Sequence, residues 1–114
     1  MLVLLAACGL DADNFRTRQN EEACRNSEAC ASNTFAIEYG SVAACVDAFE
    51  ESYGTLYTCE RKACAFDEDD AQACLDNLAG ATCEDVADGD AWTRCDSVFT
   101  DCDDDAYQRC MDDA

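Results

Sequence analysis

FDEDDAQACLDNLAG, residues 66–80, is the clearest helix in this sequence. Asp67 is a good N-cap, the next three residues are acidic, as the helix dipole favours in a first turn, and Gly80 ends the pattern. The apolar positions have the spacing of one helix face: Ala71, Cys74, Leu75 and Leu78. The stretch therefore predicts an amphipathic helix that carries a cysteine on its buried side.

The rest of the chain has the same helical character, because it has no proline, few β-branched residues and abundant Ala, Asp, Glu and Leu. Upstream, we predict a helix over residues 15–31 and a break between Asn33 and Gly40. Behind the N-cap Ser41, an apolar stripe predicts another helix, which we expect Gly54 to interrupt before one or two further turns. The stripe consists of Val42, Cys45, Val46, Phe49 and Tyr53.

Downstream of Gly80, Thr82 is expected to begin a short helix that ends at Gly89. Two further groups have the spacing of helix faces: Trp92, Cys95, Phe99 and Cys102, and then Tyr107, Cys110 and Met111. No alternating pattern indicates a strand. The predicted fold is all-α, a small disulfide-stapled bundle of five or six short helices.

Eleven cysteines among 114 residues are typical of a secreted disulfide scaffold. No C-x-x-C motif is present, which argues against a redox pair and against most zinc and iron–sulfur sites. The cysteines after Cys8 are even in number and are predicted to form disulfides: Cys24, Cys30, Cys45, Cys59, Cys64, Cys74, Cys83, Cys95, Cys102 and Cys110. Cys24 and Cys30 would lie about 9 Å apart along one helix, beyond the ~7 Å limit for a bridge. Each is therefore expected to bond a cysteine on another helix, while the connectivity stays open.

Residues 1–7, MLVLLAA, are wholly apolar and lead directly into Cys8 and Gly9. The run is shorter than the ~20 residues that span a bilayer, but it has the length of the apolar region of an export signal. Leu5-Ala6-Ala7-Cys8 resembles the lipobox of bacterial lipoproteins, in which a branched residue and two small residues precede the lipidated cysteine. We predict a signal-peptide remnant at 1–7, lipidation of Cys8, a lipidated tether at 8–14 and a cysteine-rich helical domain at 15–114. The alternative for residues 1–7 is a buried strand or helix end.

The charge is strongly acidic, with 26 Asp and Glu against 7 Lys and Arg, no histidine and a formal net charge of −19. Affinity for nucleic acid depends mostly on Lys and Arg, so we expect no nucleic-acid partner. Electrostatic docking on anionic lipid headgroups is disfavoured for the same reason. The partners that this charge leaves open are cations or a basic protein.

Three acidic clusters are candidates for calcium ligands, but none has EF-hand spacing: 67–70, 85–90 and 101–105. Histidine, the commonest general base, is absent, and no G-x-S-x-G motif appears. We therefore predict no catalytic residue, no metal ligand and no cofactor. The aromatic residues Phe66, Trp92, Phe99 and Tyr107 could form a ligand patch, although aromatics at helical spacing are more often core.

Three stretches of the sequence resemble the small cysteine-rich lipoproteins of myxobacteria and related bacteria: Tyr39–Val46, Phe66–Cys83 and Cys95–Phe99. The resemblance covers roughly residues 39–102 and implies an envelope location and a helical disulfide domain, without an established activity. The expected function is that of a non-enzymatic binding or structural module, exported and held at the outer membrane by a lipid on Cys8. The alternatives are an acidic calcium-binding surface protein and a carboxylate-dependent enzyme such as a hydrolase.

Overall fold

The computed structural model describes residues 10–114, so the predicted signal peptide and the lipidation of Cys8 lie outside the described residues. The described chain is built from six α-helices, a short 3-10 helix at Asp90–Trp92 and a two-stranded ladder. The helices are α1 (Phe15–Cys30), α2 (Ser32–Glu38), α3 (Val42–Ala63), α4 (Glu68–Ala79), α5 (Cys83–Asp88) and α6 (Asp104–Asp112). The strands are β1 (Ala65–Phe66) and β2 (Phe99–Thr100). The predicted all-α, disulfide-stapled fold is confirmed.

Helix boundaries follow the capping residues that the sequence indicates. Ser41 Oγ accepts from the backbone N–H of Ala44 at 3.1 Å at the start of α3, and Asp67 Oδ1 accepts from Asp70 N–H at 2.8 Å at the start of α4. Thr82 and Asp85 form a capping box in which each side chain accepts from the other's backbone N–H. Gly89 ends α5 at φ +84°, a left-handed conformation that glycine adopts without steric cost.

The region between α1 and α3 differs from the prediction. The expected break between Asn33 and Gly40 contains α2, because Phe35 is buried against Cys24, Cys45 and Val46. Burial of Phe35 beside the Cys24–Cys45 bridge stabilises a short helix that local propensity alone does not predict.

The predicted interruption of the following helix at Gly54 is wrong, since α3 runs unbroken from Val42 to Ala63. A glycine in a helix costs about 1 kcal/mol relative to alanine. The packing of buried Cys45 and Cys59, which lie on either side of Gly54 along α3, outweighs that cost.

The helix face predicted from Trp92 to Cys102 does not exist. The chain turns after the 3-10 helix and enters β2, which pairs antiparallel with β1 in the register Ala65↔Thr100 and Phe66↔Phe99. The ring centroids of Phe66 and Phe99 lie 5.4 Å apart. This contact brings the two extended segments together. Neither segment has the alternating pattern from which a strand could be predicted.

Most of the buried side chains form two clusters. The larger lies around α4 and contains Leu10, Phe15, Ala71, Cys74, Leu75, Leu78, Ala91, Cys95, Val98 and Phe99. The smaller contains Cys24, Phe35, Cys45 and Val46. Helix α1 contributes Phe15 to the first and Cys24 to the second, so it connects the two halves of the interior. The predicted inner face of α4 is buried at all four positions.

Residues 10–14 belong to the folded domain, which differs from the expectation of a polar tether. Leu10 is only 7% exposed and is part of the larger cluster. Asp11 and Asn14 close a turn in which the backbone N–H of each donates to the other's side chain, at 3.0 and 2.9 Å. This turn leads directly into α1, whose first residue, Phe15, is fully buried.

Five disulfides connect the elements: Cys24–Cys45, Cys30–Cys83, Cys59–Cys110, Cys64–Cys102 and Cys74–Cys95. Each joins residues 21 to 53 positions apart, and none closes within a helix. Cys24 bonds a residue of α3 and Cys30 bonds the first residue of α5, in keeping with the helical spacing that keeps these two cysteines apart.

Candidate functional site

A groove of about 410 Å³ lies between α1 and α3 and extends to Val86 of α5 and to Trp92. We call it the aromatic groove, because aromatic rings line one side of it and polar side chains line the other. The rings are Phe49, Tyr53, Tyr57 and Trp92. The polar side chains are Arg16, Gln19, Asn20, Asn26 and Ser27.

One wall of the aromatic groove is a ladder of rings on α3. Phe49, Tyr53 and Tyr57 recur every four residues and so occupy one helix face. The centroids of Phe49 and Tyr53 are 6.3 Å apart with an interplanar angle of 23°, and those of Tyr53 and Tyr57 are 6.1 Å apart at 34°. Three rings thus follow one another at a nearly constant interval.

Two of the aromatic side chains that line the groove are exposed. Over residues 10–114 three large hydrophobic side chains are exposed, Ile37, Tyr53 and Trp92, and the last two line the aromatic groove. Tyr53 is 47% exposed and Trp92 is 38% exposed. Exposed aromatic surface gathered in a concave site is typical of ligand-binding positions.

The polar side of the groove is held in place by α1. Gln19 and Asn20 are the buried polar residues of the described chain, at 6% and 5% exposure. Asn20 Nδ2 donates to the Tyr57 hydroxyl at 3.3 Å, which joins the polar wall to the ring ladder. Asn26 Nδ2 donates to the Leu78 carbonyl at 3.1 Å, which fixes the orientation of its amide.

Arg16 lies at one end of the groove and its charge is compensated. Its Nε and Nη2 donate to the two carboxylate oxygens of Glu60 at 3.0 and 2.9 Å, and Nη1 donates to Gln19 Oε1 at 2.6 Å. The guanidinium carbon stands 5.8 Å from the ring centroid of Tyr57. Among the described residues that line the groove, none is acidic, which sets this surface apart in a chain of net charge −19.

A second cavity, of about 580 Å³, lies between α3 and α6 beside the Cys59–Cys110 bridge. Its walls carry charges of both signs, from Glu51, Lys62 and Asp113. Among the described residues its lining contains no aromatic ring, so the exposed aromatic side chains distinguish the aromatic groove as the candidate site.

The acidic residues proposed as calcium ligands are separated by the fold. Over residues 10–114, no group of three acidic or cysteine side chains converges where one metal ion could be held. Asp67, Asp85 and Asp103 instead accept backbone N–H groups at helix starts. Within the same residues, no helix is both long and apolar enough to cross a bilayer.

The aromatic patch suggested by the sequence is distributed over the molecule. Phe66 and Phe99 pack in or against the larger core, Tyr107 lies on α6 away from the groove, and only Trp92 lines it. The ladder of Phe49, Tyr53 and Tyr57 carries a sequence signal, an aromatic at every fourth position. The ladder was not predicted, because the expected interruption of the helix at Gly54 separates Tyr57 from Phe49 and Tyr53.

A scan of family models, a search of curated proteins and a search of solved structures found no match to this chain. The features of the molecule that bear on its function are therefore the aromatic groove and the disulfides.

Proposed function

We propose that this protein is an exported, lipid-anchored, non-enzymatic binding module of the cell envelope, and that the aromatic groove is its ligand site. The five disulfides support export, because such bonds form and persist in oxidising compartments outside the cytosol. Leu5-Ala6-Ala7-Cys8 supports a lipid on Cys8.

The observation that carries the binding role is the exposure of Tyr53 and Trp92 within one neutral groove. An exposed aromatic ring forgoes the stabilisation of burial, about 1.5–3 kcal/mol for a large apolar side chain. Elsewhere the described chain buries its phenylalanines at least in part. A ligand that covers the exposed parts of these two rings would recover part of that stabilisation.

A lipid on Cys8 would place the domain close to the membrane. Leu10 is part of the core, and the two-residue step from Cys8 to Leu10 spans at most about 7 Å. A lipid on Cys8 would therefore hold the domain directly at the bilayer surface. With a net charge of −19, the domain would be repelled by anionic headgroups, so attachment would depend on the lipid.

Lipidation is tested by expression with a complete signal sequence in a bacterium that processes lipoproteins. We expect the protein in the membrane fraction, with an intact mass that begins at Cys8 and includes two or three acyl chains. The matched Cys8→Ser variant should lose both the added mass and the membrane association. An unmodified Cys8 behind an intact leader would contradict the proposal.

The groove is tested with Nile red, a neutral dye whose fluorescence rises in apolar surroundings. We expect the oxidised wild-type protein and a Tyr107→Ala control to bind the dye, and the Tyr53→Ala/Trp92→Ala double variant to lose binding. Circular dichroism would verify that all three are folded. Equal dye binding by the three proteins would show that the groove is not a ligand site.

A further inference from the structure

We infer that the aromatic groove binds a neutral saccharide, an inference that rests on the proposed binding function. A sugar ring combines an apolar face of C–H groups with a rim of hydroxyls. The groove combines exposed aromatic side chains with amide and hydroxyl side chains, so the two surfaces have matching chemistry.

The exposed rings provide the apolar half of this match. Tyr53 and Trp92 are 47% and 38% exposed and both line the groove. An aromatic face carries partial negative charge and attracts C–H groups as well as excluding water. Because neighbouring rings of the ladder are 6.1–6.3 Å apart, a ligand of more than one ring unit can contact successive side chains.

The polar wall provides the other half. The amides of Gln19 and Asn20 are buried and bonded to Arg16 and to Tyr57, so they support the wall. Asn26 Oδ1 and the Ser27 hydroxyl line the groove and can accept hydrogen bonds from a ligand, and the hydroxyl can also donate. Sugar hydroxyls also donate and accept. A proline-rich peptide, the other ligand that aromatic grooves commonly take, lacks backbone N–H groups at its prolines and presents mainly carbonyl acceptors. The acceptor atoms of Asn26 and Ser27 therefore favour a saccharide, whose hydroxyls can donate to them.

Charge and size narrow the class of saccharide. The acidic molecule, at −19, disfavours an anionic sugar, while Arg16 is already paired with Glu60 at 2.9 Å and offers no unpaired cation to an acid group. The volume of about 410 Å³ lies within the ~300–1,000 Å³ range of small-molecule pockets. A mono- or disaccharide without charge fits both observations.

The test is a titration of the oxidised, isotope-labelled full chain, followed by two-dimensional NMR. The probes are maltose, cellobiose and N,N′-diacetylchitobiose, with a decaproline peptide as the competing class. We expect at least one disaccharide to shift the Trp92 indole and the Asn20 and Asn26 side-chain amides, with saturation at millimolar concentration or below.

Substitutions test whether the rings of Tyr53 and Trp92 are responsible for saccharide binding. Tyr53→Ala and Trp92→Ala should each weaken saccharide binding about tenfold, which is about 1.4 kcal/mol. Trp92→Phe should restore most of the affinity, and Tyr107→Ala on α6 should leave it unchanged. Because both groove residues are substantially exposed, the variants are expected to stay folded, as circular dichroism would verify.

Three results would overturn the inference: no shift with any of the disaccharides, shifts that lie outside the groove, or tighter binding of decaproline in the groove. If Nile red still binds and is lost in the double variant, the binding role stands and only the ligand class is wrong. If the dye also fails to bind, the proposed function fails with it.

Discussion

Arg16 is the residue at which the core, the groove and α3 meet. Its guanidinium carbon lies 5.1 Å from the ring centroid of Phe15 and 5.0 Å from that of Phe99, while the same group forms a bidentate pair with Glu60. The side chains of Arg16 and Glu60 are largely buried, at 17% and 16% exposure. The planar guanidinium serves both contacts, because it can stack on rings and direct two parallel N–H groups at one carboxylate.

Replacing Arg16 should therefore cost more than the loss of one surface charge. Arg16→Ala leaves Glu60 unpaired, and we expect a loss of about 3–5 kcal/mol in the free energy of unfolding. Arg16→Lys keeps the charge but loses the bidentate hydrogen bonds to Glu60 and the stacking on the aromatic rings. It should therefore also lower the free energy of unfolding, by a smaller amount. Urea denaturation of the oxidised proteins measures both losses. A lysine variant as stable as the wild type would show that only the charge matters.

Phe15 is the aromatic centre of the larger cluster. It is fully buried, and its ring centroid lies 6.0 Å from that of Phe66 and 6.1 Å from that of Phe99. We expect Phe15→Ala to lower the free energy of unfolding by about 3–5 kcal/mol, because it removes buried area and leaves a cavity.

Ile37 supplies the matched control, since it is 87% exposed. Ile37→Ala should change stability by no more than about 0.5 kcal/mol. The same urea titration compares the two variants. Equal effects at the two positions would contradict the assignment of Phe15 to the core.

At the scale of the element, α3 shows how packing overrides a local signal. Its 22 residues continue through Gly54, although glycine is a poor helix former. The space beside Gly54 is open, since a Cβ there would meet no atom within 4 Å. Neither a close contact nor a turn requires glycine at this position.

Two glycine substitutions should accordingly change the stability of the protein in opposite directions. Gly54→Ala should stabilise the protein by about 0.5–1 kcal/mol, since alanine loses less backbone entropy on folding. Gly89→Ala should destabilise by about 1–2 kcal/mol, because φ is +84° there. Thermal unfolding of the oxidised proteins measures both. A loss of stability in Gly54→Ala would imply a role for flexibility in α3.

At the scale of the whole molecule, the interior is divided into two clusters, and the disulfides connect elements that are distant in sequence. Several of the fully buried side chains are cysteines, and Cys30–Cys83 and Cys59–Cys110 close sequence separations of 53 and 51 residues. In the chain-entropy model even a 15-residue loop contributes about 3 kcal/mol, and longer loops contribute more. Together the bridges exceed the usual net stability of a domain, about 5–15 kcal/mol.

Reduction should therefore unfold the protein at neutral pH. We expect reduced and alkylated protein to lose most of its helical circular dichroism, while the oxidised protein melts cooperatively. Oxidised protein treated with the alkylating reagent alone is the control, and within residues 10–114 it should take up no label, because all ten cysteines there are paired. If the reduced protein melted at the oxidised temperature, the two clusters alone would hold the fold.

The sequence by itself determined the features whose causes are local. The caps at Ser41, Asp67 and Thr82, the end of α5 at Gly89 and the buried face of α4 all depend on residues within one or two turns. The separation of Cys24 from Cys30 likewise follows from the rise of a helix. These features could be predicted because the groups that interact are close in sequence.

Only the tertiary structure decided the disulfide pairing, the formation of α2, the continuity of α3 and the β1–β2 ladder. The tertiary structure also decided the aromatic groove, since Asn20 and Tyr57, which are hydrogen-bonded to each other there, are 37 residues apart in the sequence. Local preferences at Gly54 or around Phe99 amount to about 1 kcal/mol per residue. Burial of an aromatic side chain or closure of a bridge contributes more than that, so contacts between distant residues determined the structure at these positions.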